Sequence, residues 1–189
     1  MFLINLPNPN PRSSINYTIN ESSTLTIVGS SNINKFECTS FQNLSKGTFY
    51  YKIDDNTINI SNATILLKTK SFDCNNPIYN HNFYKILNAD KNPFIKIEIL
   101  NLTDNTAFTT TNNGKIRATI AITLNNVRRL DEISVIWERN ANKTYRFMGT
   151  KALQMSNFSI DATDALFGLV KIQDRVIIYF DLNITANSQ

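Results

Sequence analysis

The chain has 189 residues and a mass of 21.5 kDa; 42% of its residues are apolar, 18% are charged, and its formal net charge is +4. This length suits one all-β domain, and the apolar content excludes disordered and collagen-like chains. No stretch approaches 18 consecutive apolar residues, so we expect a chain that is soluble or only superficially associated with a membrane.

The basic residues are scattered along the chain and do not form a patch. Arg128 and Arg129 make one short basic pair, and Asp131 and Glu132 follow them closely. Because affinity for phosphate depends on a localised basic patch, the sequence predicts no nucleic-acid binding.

The start of the chain is predicted to be an irregular lead-in at residues 1–21, followed by a single domain at residues 22–189. Met1–Pro7 begin with apolar residues but lack the basic segment and the long apolar core of a signal peptide. Asn and Pro alternate through Pro11. We therefore expect no signal peptide in the chain as it stands.

The two cysteines are Cys38 and Cys74, and neither belongs to a Cys-x-x-Cys motif. The sole histidine, His81, cannot complete a zinc site with them alone. The residues themselves leave two alternatives open, a disulfide or two buried thiols. A bridge would close a loop of about 37 residues and would imply an oxidising compartment.

Alternation of apolar and polar residues dominates most of the chain. One example is the stretch at 115–124, which puts on a single face Ile116, Ala118, Ile120, Ile122 and Leu124. Similar runs put on single faces Leu25 and Ile27; Phe49 and Tyr51; Ile95, Ile97 and Ile99; Ile133, Val135 and Trp137; Tyr145 and Phe147; and Val176, Ile178, Phe180 and Leu182. Alternation with period two is typical of half-buried antiparallel strands.

Turn signals separate these predicted strands. They include Asp54-Asp55-Asn56, Asp90-Lys91-Asn92-Pro93, Asn112-Asn113-Gly114, Asn125-Asn126 and Asn140-Ala141-Asn142. Strands that recur at this spacing predict a β-sandwich or an up-and-down barrel.

One segment, residues 77–87, breaks the alternation. Its apolar residues recur near helical spacing, at Ile78, Phe83, Ile86 and Leu87. Asn75 and Asn76 precede it, and asparagine is a favoured N-cap residue. The pattern predicts one short amphipathic helix between strands.

Signatures of enzymes are poor. No nucleophile elbow, Walker motif or dinucleotide-binding glycine pattern occurs. The segment from Asp161 to Asp164 lacks the glycine and terminal glutamate of a calcium loop. We predict no catalytic activity, no metal ion and no cofactor. The remaining enzymatic hypothesis is lipid chemistry through Asp161 or Asp164.

A set of segments in a particular order carries a family resemblance. The set consists of Val28 to Cys38, the aromatic strand Phe49 to Ile53, Ser71 to Cys74, the helix His81 to Asn88, Asp90 to Ile99, Gly114 to Arg129, Trp137 to Asn140, and Met155 to Leu182. Together they resemble the YceI-like family of lipocalin-like, polyisoprenoid-binding barrels, particularly a divergent branch with two cysteines. The resemblance covers about residue 22 to the end.

The resemblance implies an all-β fold, an eight-stranded antiparallel barrel with one short capping helix around a long apolar tunnel. It also implies a periplasmic or secreted setting, which favours a disulfide between Cys38 and Cys74. The implied partner is a long-chain isoprenoid or related lipid, which is a ligand and not a cofactor. Whether the chain forms a homodimer stays open.

The expected function is binding, with carriage or sequestration, of a long apolar ligand inside the barrel. Ligand-binding candidates, taken from the alternating faces, are Phe49, Tyr51, Ile97, Ile120, Ile122, Trp137, Phe147, Phe180 and Leu182, with Phe83 and Leu87 from the helix near the mouth. The alternative is a surface interaction module, a filled barrel whose exterior binds glycan or protein. The two hypotheses differ in whether the inward side chains leave a cavity.

Overall fold

A computed structural model describes residues 13–40, 45–103, 111–140, 144–161 and 171–188 of the chain. These residues form eleven strands: β1 Ser13–Ile19, β2 Thr24–Ser30, β3 Lys35–Ser40, β4 Lys46–Asp54, β5 Thr57–Lys68, β6 Phe72–Asp73, β7 Phe94–Thr103, β8 Asn113–Leu124, β9 Val127–Arg139, β10 Thr144–Gln154 and β11 Arg175–Ser188. They also form the α-helix α1 at Pro77–Ile86 and short 3-10 helices at Thr69–Ser71 and Met155–Phe158.

Eight of the strands close into a barrel. Their order is β1-β4-β5-β7-β8-β9-β10-β11, and β11 returns to pair with β1. Each neighbouring pair is antiparallel. The predicted eight-stranded antiparallel barrel with one short helix is therefore confirmed.

Strand β11 pairs with two strands along the same edge. Its first part, Ile177–Asp181, pairs with β2, and its last part, Ile184–Ser188, pairs with β1. Between the two ladders, the buried Ser23 hydroxyl accepts a hydrogen bond from the Asn183 N–H at 2.9 Å. The Ser23 hydroxyl thus gives the Asn183 N–H an acceptor at a position where neither β1 nor β2 pairs with β11. Beyond the end of β1, the sheet continues through β2, β3 and β6.

The predicted lead-in needs a correction. Residues 1–12 lie outside the described residues, but Ser13–Ile19 form β1, a full member of the barrel. This short stretch alternates polar and apolar residues and ends at the fully buried Ile19. The barrel needs this strand because only its pairing with β11 closes the ring.

The turn between β8 and β9 lies where the sequence predicts it. Asn125 and Asn126 both have positive φ, 50° and 62°, which is the backbone of a two-residue hairpin turn and suits asparagine. The predicted turn at residues 112–114 is wrong in part, because Asn113 and Gly114 already belong to β8. Residues 141–142 of another predicted turn lie outside the described residues.

The predicted helix is confirmed as α1. The Asn76 side chain accepts hydrogen bonds from the backbone N–H groups of Ile78 and Tyr79, and Pro77 occupies the first helical position. Both features are favourable at a helix N-terminus, where backbone donors lack partners. Phe83 is the buried residue of the helix.

Candidate ligand-binding cavity

The interior of the barrel is lined by alternate residues of its strands. On β8, Ile116, Ala118, Ile120 and Ile122 are buried, whereas Lys115 and Arg117 are exposed. Because successive side chains of a strand point to opposite faces, each strand contributes a row of inward apolar residues. An eight-stranded barrel is just wide enough for these rows either to fill the interior or to surround one small ligand.

In this protein the rows leave a space of about 280 Å³, here named the barrel cavity. All eight strands of the closed barrel line this cavity, and β2 contributes Leu25. Its wall consists of isoleucine, leucine and aromatic side chains almost throughout. Among the described residues that line it, Lys151 is the only charged one. The cavity therefore offers an apolar environment to a ligand.

A second space of about 120 Å³, the cap cavity, lies beneath α1. The helix contributes Tyr79, Phe83 and Ile86 to its wall. Residues that line both spaces are Leu25, Leu67, Ile97, Ile122 and Ile178. These shared side chains lie at the boundary of the two spaces, so the two cavities adjoin each other.

Tyr17 shows how a polar side chain is accommodated in this wall. The ladder between β5 and β7 changes register between Asn59 and Ala63, where Asn62 has a φ of 66°. The Tyr17 hydroxyl donates to the Thr64 carbonyl oxygen at 2.7 Å and accepts from the Thr64 N–H at 3.3 Å. Its polar end is therefore satisfied by the wall, while its ring faces the cavity beside Phe49, 6.0 Å away between centroids.

A disulfide joins Cys38 of β3 to Cys74, which comes shortly before α1. Asn80 holds the same segment, because its side-chain oxygen accepts from the Cys74 N–H at 2.6 Å and its amide donates to Asp73 at 2.9 Å. The hydrogen bonds from Asn80 and from the Asn75 N–H lower the pKa of the Asp73 carboxyl.

The body of α1 is fixed by aromatic side chains. The Tyr84 hydroxyl donates to the Phe72 carbonyl oxygen at 2.6 Å, and the Phe72 and Phe83 rings lie 5.4 Å apart. Burial, followed by the nearby Asp73 carboxylate, raises the pKa of Tyr84. Together with the disulfide, these contacts hold the helix over the cap cavity.

Most predicted ligand-binding residues line one of the two spaces. In the barrel cavity lie Phe49, Ile97, Ile120, Ile122, Phe147, Phe180 and Leu182. In the cap cavity lie Phe83 and Leu87, with Ile97 and Ile122 reaching both. Tyr51 and Trp137 line neither space: Tyr51 is half-buried two residues beyond Phe49 on β4, and Trp137 is fully buried opposite Gly114.

Sequence analysis missed three parts of the wall. The first two are the inward face of β1, made by Ile15, Tyr17 and Ile19, and that of β5, made by Ile60, Ala63, Ile65 and Leu67; on β1 the alternation of polar and apolar residues was the available signal. The third is Lys151, which shares the inward face of β10 with Phe147. A lysine in a strand is ordinarily assigned to the solvent side, so no compositional signal marks it.

The residues of the alternative, enzymatic hypothesis lie elsewhere. Asp161 is exposed and lines neither cavity, and Asp164 lies outside the described residues. Within the described ranges, no three His, Cys, Asp or Glu side chains lie close enough together to hold a metal ion. No helix in the described part of the chain has the length and apolarity to cross a membrane.

The fold is similar to that of several solved structures. The polyisoprenoid binding domain from Saccharophagus degradans implicated in plant cell wall breakdown superposes with a TM-score of 0.69 at 12% identity, covering 90% of this chain and 98% of that one. Burkholderia cenocepacia BcnA gives a TM-score of 0.63 at 18% identity, covering 87% and 98%. The Campylobacter jejuni YceI protein gives 0.51 at 13% identity, covering 75% and 81%.

The sequence itself matches no protein-family model and no curated protein. At identities of this level the similarity concerns the fold, and at that level the predicted resemblance to the YceI-like family is confirmed. The chain is thus a closed, capped barrel of the YceI type with an apolar interior space.

Proposed function

We propose that the protein binds one long apolar molecule, a polyisoprenoid or related lipid, in the barrel cavity. The observation that carries this proposal is the apolar space of about 280 Å³ between inward rows that do not meet at the axis. Ligand cavities in proteins are typically about 300–1,000 Å³ and mostly apolar.

The driving force for such binding is burial of apolar surface. At about 25 cal/mol per Å², a buried isoprenoid tail of about 500 Å² contributes roughly 12 kcal/mol before the costs of association. Those costs are about 4–15 kcal/mol, and they are lowest for a site that is already formed. The closed ladder and the fixed helix make this cavity preformed, which favours a measurable affinity.

The proposed role is carriage or sequestration without catalysis. Similar structures include a protein named for polyisoprenoid binding, which supports the ligand class. The disulfide supports a periplasmic or secreted location, because disulfides persist in oxidising compartments. The alternative of a surface interaction module assumed a filled interior, and the apolar space of about 280 Å³ favours the ligand-binding proposal over it.

The test is binding of geranylgeraniol to the purified, delipidated full chain, measured by native mass spectrometry. Ala118 is buried and lines the cavity, so Ala118→Phe should fill part of it. We expect affinity to fall more than about tenfold, since each displaced methylene contributes about 0.8 kcal/mol. Ala152→Phe is the matched control, because Ala152 lies exposed on the outer face of β10.

Analysis of the protein as purified provides a second measurement. An apolar molecule that co-purifies with the wild type and is lost from Ala118→Phe would support the proposal. A wild type that is repeatedly empty and binds no prenol would refute it. Thermal unfolding of both variants verifies that each is folded before binding is compared.

A further inference from the structure

The wall of the barrel contains a seam between β9 and β10. Their backbone ladder joins Ile136–Arg139 to Tyr145–Met148 and stops there. Both strands continue beyond it: β9 pairs with β8 from Val127 onwards, and β10 pairs with β11 as far as Gln154. Beyond Ile136 and Met148, therefore, each of the two strands is paired on its outer side, but no backbone ladder joins β9 to β10 in the described part of the chain.

Lys151 lies in this seam. Its ammonium group donates to the Asp131 carboxylate at 2.5 Å and to the Glu132 backbone carbonyl at 3.0 Å. The ammonium thus takes the place of a strand partner for Glu132. The Lys151 and Asp131 side chains are 23% and 34% exposed, so the pair is neither sealed in the core nor fully in water.

The same lysine is part of the cavity wall. Lys151 lies opposite Ile178, which lines both cavities, and Asp131 lies opposite Ile120, which lines the barrel cavity. The pair therefore lies close to the boundary between the two cavities. It is the one charged feature that a ligand in this space would meet among the described lining residues.

The pair retains capacity for hydrogen bonding. An ammonium group has three N–H donors, and the described residues use two of those of Lys151. The second carboxylate oxygen of Asp131 accepts no hydrogen bond from the described residues. Because the pair sums to zero charge, it favours a neutral oxygen over an anion, which Asp131 would repel.

We propose that Lys151, supported by Asp131, binds the neutral oxygen end group, carbonyl or hydroxyl, of the apolar chain held in the barrel cavity. This inference rests on the proposed function and specifies its ligand class: an oxygen-terminated isoprenoid is preferred over a hydrocarbon and over a carboxylate-terminated chain. The chain is buried among apolar residues, while its end group stays at the seam, where burial of a polar atom is compensated.

The experiment compares three ligands of one carbon skeleton: geranylgeraniol, the corresponding hydrocarbon and geranylgeranoic acid. Each is added to the delipidated full chain, and binding is measured by competition in native mass spectrometry. We expect the wild type to prefer the alcohol over the hydrocarbon by about tenfold or more, as for one hydrogen bond to a charged group. The acid should bind less tightly than the alcohol.

Lys151→Met keeps the aliphatic stem and removes the ammonium. It should lower affinity for the alcohol about tenfold, to the level of the hydrocarbon, and leave hydrocarbon binding nearly unchanged. Lys115→Met, the same change at an exposed position of β8, is the matched control and should keep the wild-type preference. Asp131→Asn should instead shift preference towards the acid, because the lysine charge is no longer neutralised.

The outcomes separate this inference from the proposed function. If the wild type binds none of the three ligands, the proposed function fails. If it binds alcohol and hydrocarbon equally, or if Lys151→Met weakens both to the same degree, only the Lys151 proposal fails. The wild-type preference and the effect of Asp131→Asn still test the proposal if Lys151→Met does not fold.

Discussion

Gly149 allows an aromatic ring of the cavity wall to lie against the neighbouring strand. It is opposite Phe180 in the ladder between β10 and β11. A Cβ atom at this position would lie 2.5 Å from Phe180 Cζ and 3.0 Å from the Ser134 carbonyl oxygen. The Ser134 carbonyl belongs to the backbone and yields less easily than a side chain. The substitution Gly149→Ala must therefore displace the Phe180 ring, which itself lines the barrel cavity.

The expected magnitude follows from two opposing effects. Overpacking of a well-packed site costs about 1–3 kcal/mol. Alanine restricts the unfolded chain more than glycine does, and in a strand this stabilises the folded state by about 0.5–1 kcal/mol, which offsets part of the cost. We therefore expect Gly149→Ala to lower the free energy of unfolding by about 1–2 kcal/mol. Displacement of the ring should also weaken prenol binding.

The assay is urea denaturation of the wild type, Gly149→Ala, Phe180→Leu and the double variant. With the ring removed, the cost of Gly149→Ala should fall by about 1 kcal/mol; rescue stays partial because the contact with Ser134 remains. Gly47→Ala is a milder control, since its new Cβ would lie 3.2 Å from Tyr17. An equal cost with and without Phe180, or stabilisation by Gly149→Ala, would refute this account.

Two further predictions concern the rest of the fold. The disulfide joins residues 36 positions apart, so Cys38→Ala/Cys74→Ala should lower the free energy of unfolding by about 4 kcal/mol; a loss below about 1 kcal/mol in urea denaturation would contradict this. On the outer face, the hydrogen bonds from Arg146 to Asp181 at 2.6 and 2.8 Å lower the pKa of the Asp181 carboxyl. A lowered pKa stabilises the fold above the unfolded value of about 3.9, and this contribution is lost as pH falls through the folded pKa. The stability difference between wild type and Asp181→Asn should be up to about 1 kcal/mol at pH 7 and shrink below about pH 4; a difference that persists unchanged in acid would exclude the pair as its cause.

The predicted elements that agree with the structure depend on near neighbours in the chain. The alternation at 115–124 predicts β8, Asn125-Asn126 predicts the turn after it, and Asn76 predicts the start of α1. In each case a few adjacent residues decide which backbone groups need partners and which face is apolar. β1 has the same alternation, but it is short and follows a segment of the sequence in which Asn and Pro alternate.

The predicted site residues were harder to place because lining depends on position along the barrel as well as on face. Tyr51 shares the face of Phe49 and Trp137 shares that of Val135, yet neither Tyr51 nor Trp137 reaches a cavity. Lys151 shows the opposite error. Its residue type predicts a side chain that faces solvent, but in the structure its position at the seam between β9 and β10 makes its aliphatic stem part of the cavity wall.

The sequence by itself determined most of the barrel strands, the Asn125-Asn126 turn and the cap of the helix, since hydrophobic alternation and backbone hydrogen bonding act over a few residues. Only the tertiary structure decided that the inward rows stop short of the axis and leave a cavity. That outcome depends on how strands far apart in the chain pair, such as β1 with β11, and on side-chain volumes summed across the whole ring.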